Sequence, residues 1–572
     1  MTDSMYVLGL WDGHDSGAAL VRDGEIVFAA NEERFTKRKF EVSFPYNSIR
    51  ASLDYARIKP SDVEHVAFTT TEFAKTLWRV FPGIKESYYN FRRRKTPKPA
   101  LEGFRHWIKY TSTGVGVLPL CGSVSRSVIS RQLNSMGFRG YKLHTVEHHT
   151  AHAATAALTS PFGRSLVVTV DGLGDGLSAS VSTFENGKLN RHISIPARDS
   201  LGVFYEQATN IAGMREQEDE GKLMAMADYS YPFSWEDNVL KSMMSASGTI
   251  VHAKYGQWKQ YVALERIAWK TPREQFAYYV QQLFENIITK LVSNSIDRFG
   301  IHEVAMAGGC FSNVKANMMI RRLDALKRWY VFPHMGDGGI ALGSALYVDH
   351  MLSGKSGYGL SPYLGPSYDA EETEKLLKRD RSLVVQRQPV EEHASHAAEL
   401  ISKGNYIMWF QDRMEYGPRA LGGRSILAPS DSEQVKERLN LHVKRREWFQ
   451  PFAPAILEED VPHIIDYDGK GMDGLMTMAY SVREDARKHT AAVMHIDGTA
   501  RPQMVGSGGQ AYQEMLKRMK RLTGRGMVLN TSLNIHGMPI AMTPQDAVDT
   551  MKATKTKYMF IDGLFVTNRA GI

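Results

Sequence analysis

The chain has 572 residues, of which 43% are hydrophobic and 23% charged, and its formal net charge is +8. This length exceeds one ordinary hydrophobic core, so we expect a globular protein of two or more domains. No apolar run approaches the roughly 18 residues of a membrane span, and the first residues lack the parts of a signal peptide, which predicts a cytoplasmic protein without membrane contact. With only Cys121 and Cys310 present, we expect no disulfide framework and no cysteine-based zinc site.

The first fifty residues predict a β-meander, and a second copy follows later in the chain. The expected elements are strands over residues 6–11, 17–21, 26–30, 166–170 and 178–184, with hairpin turns at Asp23-Gly24 and Asn186-Gly187. The two copies place Asp12 and Asp171 in equivalent Asp-Gly turns. Each turn alone is a common hairpin connector, but the pair indicates a duplicated, actin-like α/β architecture whose turns offer N–H groups to the phosphates of ATP.

Two later glycine-rich loops each end an apolar run and open a helix. Glycine lets a nucleotide lie against the backbone, and a helix N-terminus favours negative charge, so these loops predict a site for ATP with Mg(II). Cys310, in the first loop, is expected to pack rather than to act as a nucleophile. The predicted nucleotide-binding residues are Asp171, Gly308, Gly309, Asn313, Gly336 and Gly338.

His148 and His152 lie four residues apart where an Ala-rich helix is predicted to begin. Residues at this spacing share one helix face, so the two imidazoles can hold one cation, and Asp337 could complete the set. Two imidazoles and one carboxylate with open positions suit Fe(II), Zn or Mn. The alternative is a polar helix start whose histidines bond to solvent or to nearby carbonyls.

The positive charge is concentrated in residues 75–110. Ten Lys or Arg and only two acidic residues lie between Lys75 and Lys109, interleaved with aromatic side chains. Cations for phosphates and rings for bases are what a nucleic-acid strand needs, which makes Arg92, Arg93, Arg94 and Lys95 candidates for binding a polyanionic acceptor. The alternative is a solvated loop with some buried rings.

The composition changes after the stretch rich in Gly, Ser, Tyr and Pro at residues 354–366. We expect a first domain over residues 1–360 with a basic aromatic insertion at 75–110, a linker over 361–384 and a second α/β domain over 385–572. The second domain carries Gly-rich and arginine-containing loops. They predict an anion pocket, although each cluster could also be a solvated surface.

Nine motifs follow one another along nearly the whole chain. They are Asp12-Gly13-His14-Asp15-Ser16-Gly17-Ala18-Ala19, Asn31-Glu32-Glu33-Arg34-Phe35-Thr36 with Lys39, His148-His149-Thr150-Ala151-His152-Ala153, Asp219-Glu220-Gly221-Lys222, Gly308-Gly309, Gly336-Asp337-Gly338-Gly339, Gly417-Pro418-Arg419-Ala420-Leu421-Gly422, Asp497-Gly498-Thr499-Ala500-Arg501 and Asn530-Thr531-Ser532. In this order they resemble the O-carbamoyltransferases related to nodulation protein U and to the enzymes that carbamoylate cephamycin and tobramycin.

The resemblance implies an actin-like (ASKHA) N-terminal domain, similar to the one that threonylcarbamoylates tRNA adenosine, and a YrdC-like C-terminal domain. The resemblance also implies a route. Carbamoyl phosphate would be cleaved in the C-terminal domain, the carbamate would be adenylated with ATP, and carbamoyl-adenylate would donate its carbamoyl group to an acceptor hydroxyl at the N-terminal metal site. His148, His152 and Asp337 resemble the ligands of a metal, with Fe(II) implied. The residues that resemble the carbamoyl phosphate site are Arg419, Lys444, Arg501, Asn530 and Ser532.

The acceptor hydroxyl needs a base, and Asp12 or His14 on the first turn is our candidate, together with Lys39 from the second motif. Asp12 and His14 could instead only cap the hairpin. The chain departs from the family at Gln450, where an arginine is common, and at His536, where a basic residue is common. Arg445 or Arg446 could replace the lost charge.

The resemblance does not define the acceptor alcohol. The basic segment leads us to expect a hydroxymethylated base in DNA, with a small-molecule sugar or natural-product alcohol as the alternative. A tRNA threonylcarbamoyl transferase and a non-catalytic ATP-binding module are further alternatives. We also expect a homodimer.

Overall fold

The computed structural model describes residues 4–95, 107, 109, 115–471, 473–506 and 509–571. The chain divides into two compact units. The first comprises Met1–Glu32 and Phe40–Leu360, and the second comprises Glu33–Lys39 and Ser361–Ile572. In the part of the chain that is described, none of the helices combines the length and apolar character that a bilayer crossing needs.

The first unit contains twelve strands among its described residues. They are β1 (Tyr6–Trp11), β2 (Gly17–Arg22), β3 (Glu25–Asn31), β4 (His65–Thr69), β5 (Lys142–Val146), β6 (Arg164–Gly174), β7 (Leu177–Glu185), β8 (Lys188–Pro196), β9 (Met244–Ser247), β10 (Ile250–Ala253), β11 (Glu303–Ala307) and β12 (Arg328–Val331). Strands β9 and β10 form a small separate hairpin, and the other ten form two five-stranded sheets.

The two five-stranded sheets have the same topology. Their orders are β3-β2-β1-β4-β5 and β8-β7-β6-β11-β12. In each, the first three strands form an antiparallel meander and the last two pair in parallel. The duplication predicted from the paired Asp-Gly turns is therefore confirmed at the level of strand order and direction.

Both predicted hairpin turns have the backbone that their sequences require. Asp23 and Gly24 have φ of 49° and 76°, and Asn186 and Gly187 have φ of 52° and 69°. Two successive residues at positive φ define a type I′ turn, whose twist matches that of the flanking strands. These turns fix the register of both meanders.

The helices of the chain up to residue 360 are α1 (Glu33–Thr36), α2 (Tyr46–Ala56), α3 (Phe73–Val80), α4 (Pro82–Arg92), α5 (Cys121–Ser135), α6 (His148–Thr159), α7 (Leu201–Ile211), α8 (Glu220–Met226), α9 (Gln257–Ala268), α10 (Arg273–Phe299), α11 (Val314–Arg321) and α12 (Ile340–Ser353). Helix α1 belongs to the second unit. The others cover the two sheets of the first unit.

Helix α12 packs unusually close to both β1 and α6. A Cβ atom on Gly9 of β1 would lie 1.9 Å from the carbonyl oxygen of Ala341, and one on Gly343 would lie 2.1 Å from that of Ala151. Only glycine permits backbones to approach this closely. These two contacts fix the start of α12 beside the start of α6.

The second unit is built on one eight-stranded mixed sheet, of order β13-β22-β21-β14-β15-β20-β16-β19. Its strands and helices are β13 (Leu383–Arg387), β14 (Ile407–Phe410), β15 (Arg424–Ala428), β16 (Ala453–Leu457), β17 (Tyr480–Ser481), β18 (Thr499–Ala500), β19 (Gln503–Val505), β20 (Met527–Ser532), β21 (Tyr558–Ile561), β22 (Leu564–Asn568), α13 (Ala370–Lys378), α14 (Val390–Ser402), α15 (Glu433–Arg438), α16 (Val461–Ile464), α17 (Gln510–Thr523) and α18 (Pro544–Thr554).

Alternate residues of this sheet enter two separate cores, because successive side chains of a strand point to opposite faces. Met408 and Phe410 of β14 pack with residues of α13 and α18 on one face. Ile407 and Trp409 pack with residues of α14 and α17 on the other. The second unit is therefore a three-layer α/β structure.

The linker predicted over residues 361–384 is wrong from Ala370 onward. Helix α13 and the first residues of β13 lie there, and Leu377 and Leu383 are buried in the core of the second unit. The turn-forming composition ends at Pro366, but the amphipathic helix that follows it has a buried face. The second unit also takes in Glu33–Lys39, where Arg34 donates to the carbonyl of Gly417 (3.1 Å) and Phe35 packs against Met414.

Gly343→Ala tests the close packing of α12. The added methyl group would meet the Ala151 carbonyl, so we expect a loss of about 1–3 kcal/mol of stability, measured as a lower urea midpoint. Gly83→Ala is the matched control, because nothing lies within 4 Å of its Cβ position in α4. An unchanged midpoint for Gly343→Ala would show that the helix can move away at little cost.

Candidate functional site

Four metal-ligating side chains of the first unit converge on one point. They are His148, His152, Asp171 and Asp337, and one ligand atom of each lies within 4.8 Å of all the others. The first three are buried, and Asp337 is half-buried. The sequence predicts three of these ligands, and the structure adds Asp171 as a fourth.

The spacing of the ligand atoms suits a divalent cation. The Nε2 atom of His148 lies 3.1 Å from Asp171 Oδ2 and 3.5 Å from Asp337 Oδ1. The Nε2 atom of His152 lies 3.6 and 3.7 Å from the same two oxygens. Ligands about 2.0–2.2 Å from one ion are separated by such distances.

Each ligand is positioned by the end of a regular element. Helix α6 begins at His148, where the Glu147 side chain caps it by accepting from the Thr150 N–H at 2.7 Å. The 3.6-residue period then brings His152 onto the same face. Asp171 lies on β6, and Asp337 opens a 3₁₀ turn directly before α12.

A buried nitrogen supports the assignment of a metal site. His152 Nε2 is buried and has no hydrogen-bond partner among the residues that the structure describes. Leaving such an atom unpaired is costly unless a further group binds it. A divalent cation meets that need, and the His₂Asp₂ donor set suits Fe(II), Zn or Mn.

The electrostatics of the cluster follow from its two carboxylates. Burial lowers the pKa of His148, but Asp337 and Asp171 outweigh it and raise the pKa to about 9. His152 likewise has a raised pKa, because the same carboxylates outweigh its burial. For Asp171, burial raises the pKa, but the two imidazoles bring it well below its ordinary value. The site thus balances two negative charges with positive ones.

The predicted nucleotide-binding glycines lie around these ligands. The Gly309 N–H donates to Asp171 Oδ1 at 2.7 Å, and Gly308, at φ 104°, would place a Cβ 2.3 Å from the Val170 carbonyl oxygen. A Cβ on Gly338 would lie 2.3 Å from Asp15 Oδ2, whereas one on Gly336 would meet only Gly309 Cα, at 3.9 Å. Close contacts therefore require Gly308 and Gly338. A Cβ on Gly309 would also lie only 2.8 Å from Asp171 Oδ1, so of these four glycines only Gly336 leaves open space.

Asn313 does not fit the predicted nucleotide contact. Its side-chain oxygen caps α11 by accepting from the Ala316 N–H at 3.0 Å, and its amide donates to Gln281 at 2.9 Å. Both ends of the side chain are thus used within the protein. Cys310 is buried, and burial raises the pKa of its thiol well above the ordinary value, as a packing role requires.

Asp12, a predicted base, is held in a bidentate ion pair. Arg79 donates to its two carboxylate oxygens at 2.8 and 2.7 Å, and both side chains are buried. Burial raises the pKa of Asp12, but Arg79 outweighs it and lowers the pKa strongly. A carboxylate so stabilised accepts a proton poorly, so the structure contradicts a role for Asp12 as base.

His14, the other predicted base, is oriented by Arg92. The Arg92 guanidinium donates to His14 Nδ1 at 3.0 Å. A guanidinium can only donate, so Nδ1 must accept and the proton of the neutral ring lies on Nε2. Burial and the charge of Arg92 hold the pKa of His14 well below its ordinary value. His14 in this state offers a hydrogen-bond donor at Nε2, not a base.

Several cations of the basic segment contact other parts of the first unit. Arg92 is buried and also donates to Gln217, and Arg93 pairs with Glu218 at 2.5 Å. Lys109 contacts Glu206 and Glu216. The structure therefore contradicts the prediction that Arg92 and Arg93 are available for phosphates, because Arg92 is buried against the neutral side chains of His14 and Gln217 and Arg93 pairs with Glu218.

Two further cations of the segment lie at the surface. Arg94 and Lys95 are exposed, although Arg94 donates to the Met214 carbonyl at 2.9 Å and Lys95 lies over the Tyr89 ring. Lys98 and Arg105 lie outside the described residues.

The second unit has a cationic cluster around Arg419 and Arg501. Neither guanidinium makes a hydrogen bond or ion pair to any residue within the described ranges. Burial lowers the pKa of Arg419 to about 10, and burial and the charge of Arg419 lower the pKa of Arg501 well below its ordinary value. Asp473 is a nearby negative charge but makes no direct ion pair with Arg501. Two neighbouring half-buried cations without a direct ion pair form a site for an anion.

Lys444 and the predicted polar residues lie at one end of the central sheet. Lys444 is buried at the end of a π-helical turn and donates to Ser532 Oγ at 3.0 Å and to Asn534 Oδ1 at 2.6 Å. Asn530 donates to the Ala420 carbonyl at 3.1 Å, and its own Oδ1 is buried without a partner among the described side chains. Lys444 is thus already saturated with acceptors and positions Ser532.

Lys39 belongs to the second unit. Burial, Arg446 and Lys39 together lower the pKa of Lys444, which shows that Lys39 lies close to that ammonium group. The grouping of Lys39 with the base stays a prediction.

The positions that depart from the family differ in their surroundings. Arg446 lies near Arg501 and lowers its pKa, whereas Arg445 is directed to the Ala553 carbonyl at 3.0 Å. Gln450 donates to Glu447, and the His536 N–H donates to the Lys444 carbonyl. Of the two proposed replacements, only Arg446 faces the cationic cluster.

Two family profiles match most of the chain. Residues 6–346 match the family described as "Carbamoyltransferase N-terminus", and residues 398–568 match "Carbamoyltransferase C-terminus". The chain belongs to the carbamoyltransferase family. The resemblance seen in the sequence motifs is thereby confirmed, and the protein is a carbamoyl-transferring enzyme.

Several relatives of this carbamoyltransferase share most of its length. An uncharacterized protein of Methanocaldococcus jannaschii is 34% identical over 77% of this chain and 76% of its own. The nodulation protein NolNO of Sinorhizobium fredii is 29% identical over 97% of this chain and 78% of its own. Among solved structures, HypF from T. kodakarensis has a TM-score of 0.35 at 11% identity, over 61% of this chain and 48% of that one, which supports no conclusion about fold or ligand.

Asp171→Asn tests the metal site of the carbamoyltransferase. Loss of one ligand charge should lower the affinity for the divalent metal, and so the amount retained, about tenfold or more. Substitutions of residues that only hydrogen-bond to a metal ligand already have an effect of this size. Elemental analysis of the dialysed protein measures it. His144→Gln, in a histidine pair on β4 and β5 outside the cluster, should keep the wild-type content. Equal metal content in both variants would contradict the assignment of Asp171.

The stability of the metal-free, chelated protein should fall as pH rises, whereas the stabilisation by bound metal should increase. With a pKa raised from 6.5 to about 9, His148 stabilises the ion-free fold below about pH 6.5, and this contribution is lost as pH rises through 9. Metal binding requires neutral imidazoles and strengthens over the same range. The difference in melting temperature between metal-loaded and chelated protein should therefore increase from pH 6.5 to 9. A constant difference would contradict the assignment of these histidines as metal ligands.

Arg501→Met tests the anion site. Removing one of two unpaired guanidinium groups should weaken carbamoyl phosphate about tenfold, measured by titration calorimetry. Arg445→Met is the control, because this arginine is exposed and directed elsewhere. Equal weakening by both substitutions would indicate a general charge effect instead of a defined site.

Proposed function

We propose that this enzyme carbamoylates an alcohol with carbamoyl phosphate as donor and ATP as activator, through carbamoyl-adenylate. The observation that supports it most is the pair Arg419 and Arg501, whose half-buried cations make no direct ion pair or hydrogen bond to the described residues. A dianionic donor suits such a pair, since guanidinium binds phosphate oxygens in a forked geometry.

In the proposed first reaction, water cleaves carbamoyl phosphate in the second unit to carbamate and inorganic phosphate. The carbamate oxygen then attacks the α-phosphorus of ATP, and pyrophosphate leaves. Carbamate is a poor electrophile, and adenylation gives its carbonyl carbon a leaving group. We further propose that the second unit is a YrdC-like module and that its loop at Gly417, bonded by Arg34, orders Arg419.

In the proposed second reaction, the acceptor oxygen attacks the carbamoyl carbon in the first unit, AMP leaves, and the hydroxyl proton passes to water. His148, His152, Asp171 and Asp337 would hold a divalent cation, with Fe(II) our proposal, which supplies positive charge beside the reacting group. His14 donates from Nε2 to the carbamoyl oxygen as negative charge develops there.

The duplicated sheets support an actin-like (ASKHA) assignment for the first unit. Their shared strand order and the open space at Gly336 suit a nucleotide, held with Mg(II), at the ends of the parallel strands. Asp171, once expected among the nucleotide contacts, is assigned instead to the metal.

We propose a small alcohol, such as a sugar hydroxyl, as the acceptor. Arg92 is buried against His14 and Gln217 and Arg93 pairs with Glu218, so neither guanidinium offers the exposed charge that a DNA strand would need. A hydroxymethylated base in DNA stays the alternative acceptor.

The test is to incubate the enzyme with ATP, carbamoyl phosphate and two acceptor sets, free sugars and nucleosides in one and hydroxymethylated duplex DNA in the other. Products are identified by mass spectrometry and pyrophosphate is assayed. We expect one carbamoyl group on a free alcohol. Modification of DNA only, with steep salt dependence, would reverse the acceptor assignment, and a threonylcarbamoyl product would indicate a tRNA-type transferase.

His14→Ala should lower transfer about 10²–10³-fold, the usual loss when one donor to a developing oxyanion is removed. Pyrophosphate release should persist, because adenylation is assigned to the second unit. Nucleotide binding without pyrophosphate or AMP formation in the wild type would contradict the adenylate route altogether.

A further inference from the structure

Helices α3 and α4 bring four cations to the turn that carries Asp12 and His14. Three of them are used within the protein: Arg79 pairs with the Asp12 carboxylate, Lys85 donates to the Asp12 carbonyl, and Arg92 donates to His14. These contacts shape the turn. The fourth cation, Lys75, is different.

The Lys75 ammonium group is held by two indole rings. Its Nζ lies 4.6 Å from the Trp11 ring centroid and 4.9 Å from that of Trp78. It makes no hydrogen bond or ion pair to any side chain or carbonyl in the described parts of the chain. Ring faces attract a cation without accepting its N–H groups as a carboxylate would, so the three donors of Lys75 stay available.

Lys75 lies on the same side of the first unit as the metal ligands. The Trp11 ring beneath it meets the His148 ring edge-on, with centroids 5.9 Å apart, and the Trp11 indole N–H donates to the His14 carbonyl at 2.6 Å. Besides burial and Arg92, the charge of Lys75 contributes to the lowered pKa of His14. The ammonium group is therefore a neighbour of both His14 and the metal cluster.

We propose that Lys75 binds the phosphate of the adenylate leaving group at the transfer site, and this rests on the proposed function. A half-buried, oriented cation with unused donors suits a phosphate, which becomes more negative when the bond to the carbamoyl carbon breaks and AMP leaves. Arg79, Lys85 and Arg92 cannot serve in this way, because each is bound by the turn. The two indoles fix the position of the ammonium group and lower the entropy lost on binding.

Chemical protection tests the proposal on the unaltered protein. The full-length, metal-loaded enzyme is acetylated with a lysine reagent, and the modification of each lysine is mapped by peptide mass spectrometry. AMP should slow acetylation of Lys75, whereas adenosine should not. Lys254, exposed beside Tyr255, is the internal control and should react equally in all samples. Equal acetylation of Lys75 with and without AMP would overturn the proposal.

Substitution gives a second measurement. Lys75→Met keeps an apolar side chain between the two indoles but removes the charge, so AMP affinity in equilibrium titration should fall about tenfold, and Lys75→Arg should restore part of it. Lys254→Met should bind AMP like the wild type. An unchanged AMP affinity for Lys75→Met would show that its cation only packs against the rings.

The two proposals fail differently. If the wild type releases no pyrophosphate from ATP and carbamoyl phosphate, the adenylate route is wrong whatever Lys75 does. If pyrophosphate is released but AMP does not protect Lys75, only the role of this lysine is wrong.

Discussion

The first unit depends on the buried carboxylate of Asp171. One oxygen accepts from the Gly309 N–H, and the other lies against His148 and His152. Such a group is tolerated away from water only when it is fully paired. The strand end, the glycine loop and the start of α6 must therefore meet at this point, and the close contacts of α12 at Gly9 and Gly343 bring Asp337 to the same place.

The duplication explains why Asp12 and Asp171 have the same local setting but different chemistry. Asp12 directly follows β1, and Asp171 lies in the last part of β6, which is the first strand of the second meander. Arg79 neutralises Asp12 with two hydrogen bonds, whereas the partners of Asp171 are imidazoles that can exchange a proton for a metal ion. One copy of the turn is thus locked by an ion pair, and the other is left able to bind a cation.

Local patterns predicted the strands, both type I′ turns, the helix that begins at His148 and three of the four ligands, because these depend on short-range spacing. Asp171 was assigned to the nucleotide, since an Asp-Gly turn gives no sign of which groups lie across it. The position of Lys39 in the second unit and the burial of Leu383 in its core were missed for a related reason. Chain crossings and buried faces are decided by tertiary packing, not by local composition.

The basic segment, residues 75–110, likewise shows that local composition does not tell how much charge stays exposed in the folded protein. Counted along the chain, residues 75–110 hold an excess that equals the net charge of the protein. Two of these cations, Arg93 and Lys109, pair with Glu206, Glu216 and Glu218, more than ninety residues away, so the count along the chain overstates the charge that a ligand would meet. Lys75 differs from both, because it is one cation held by two rings beside the reactive turn. A single oriented charge favours recognition of one phosphate over recognition of a strand.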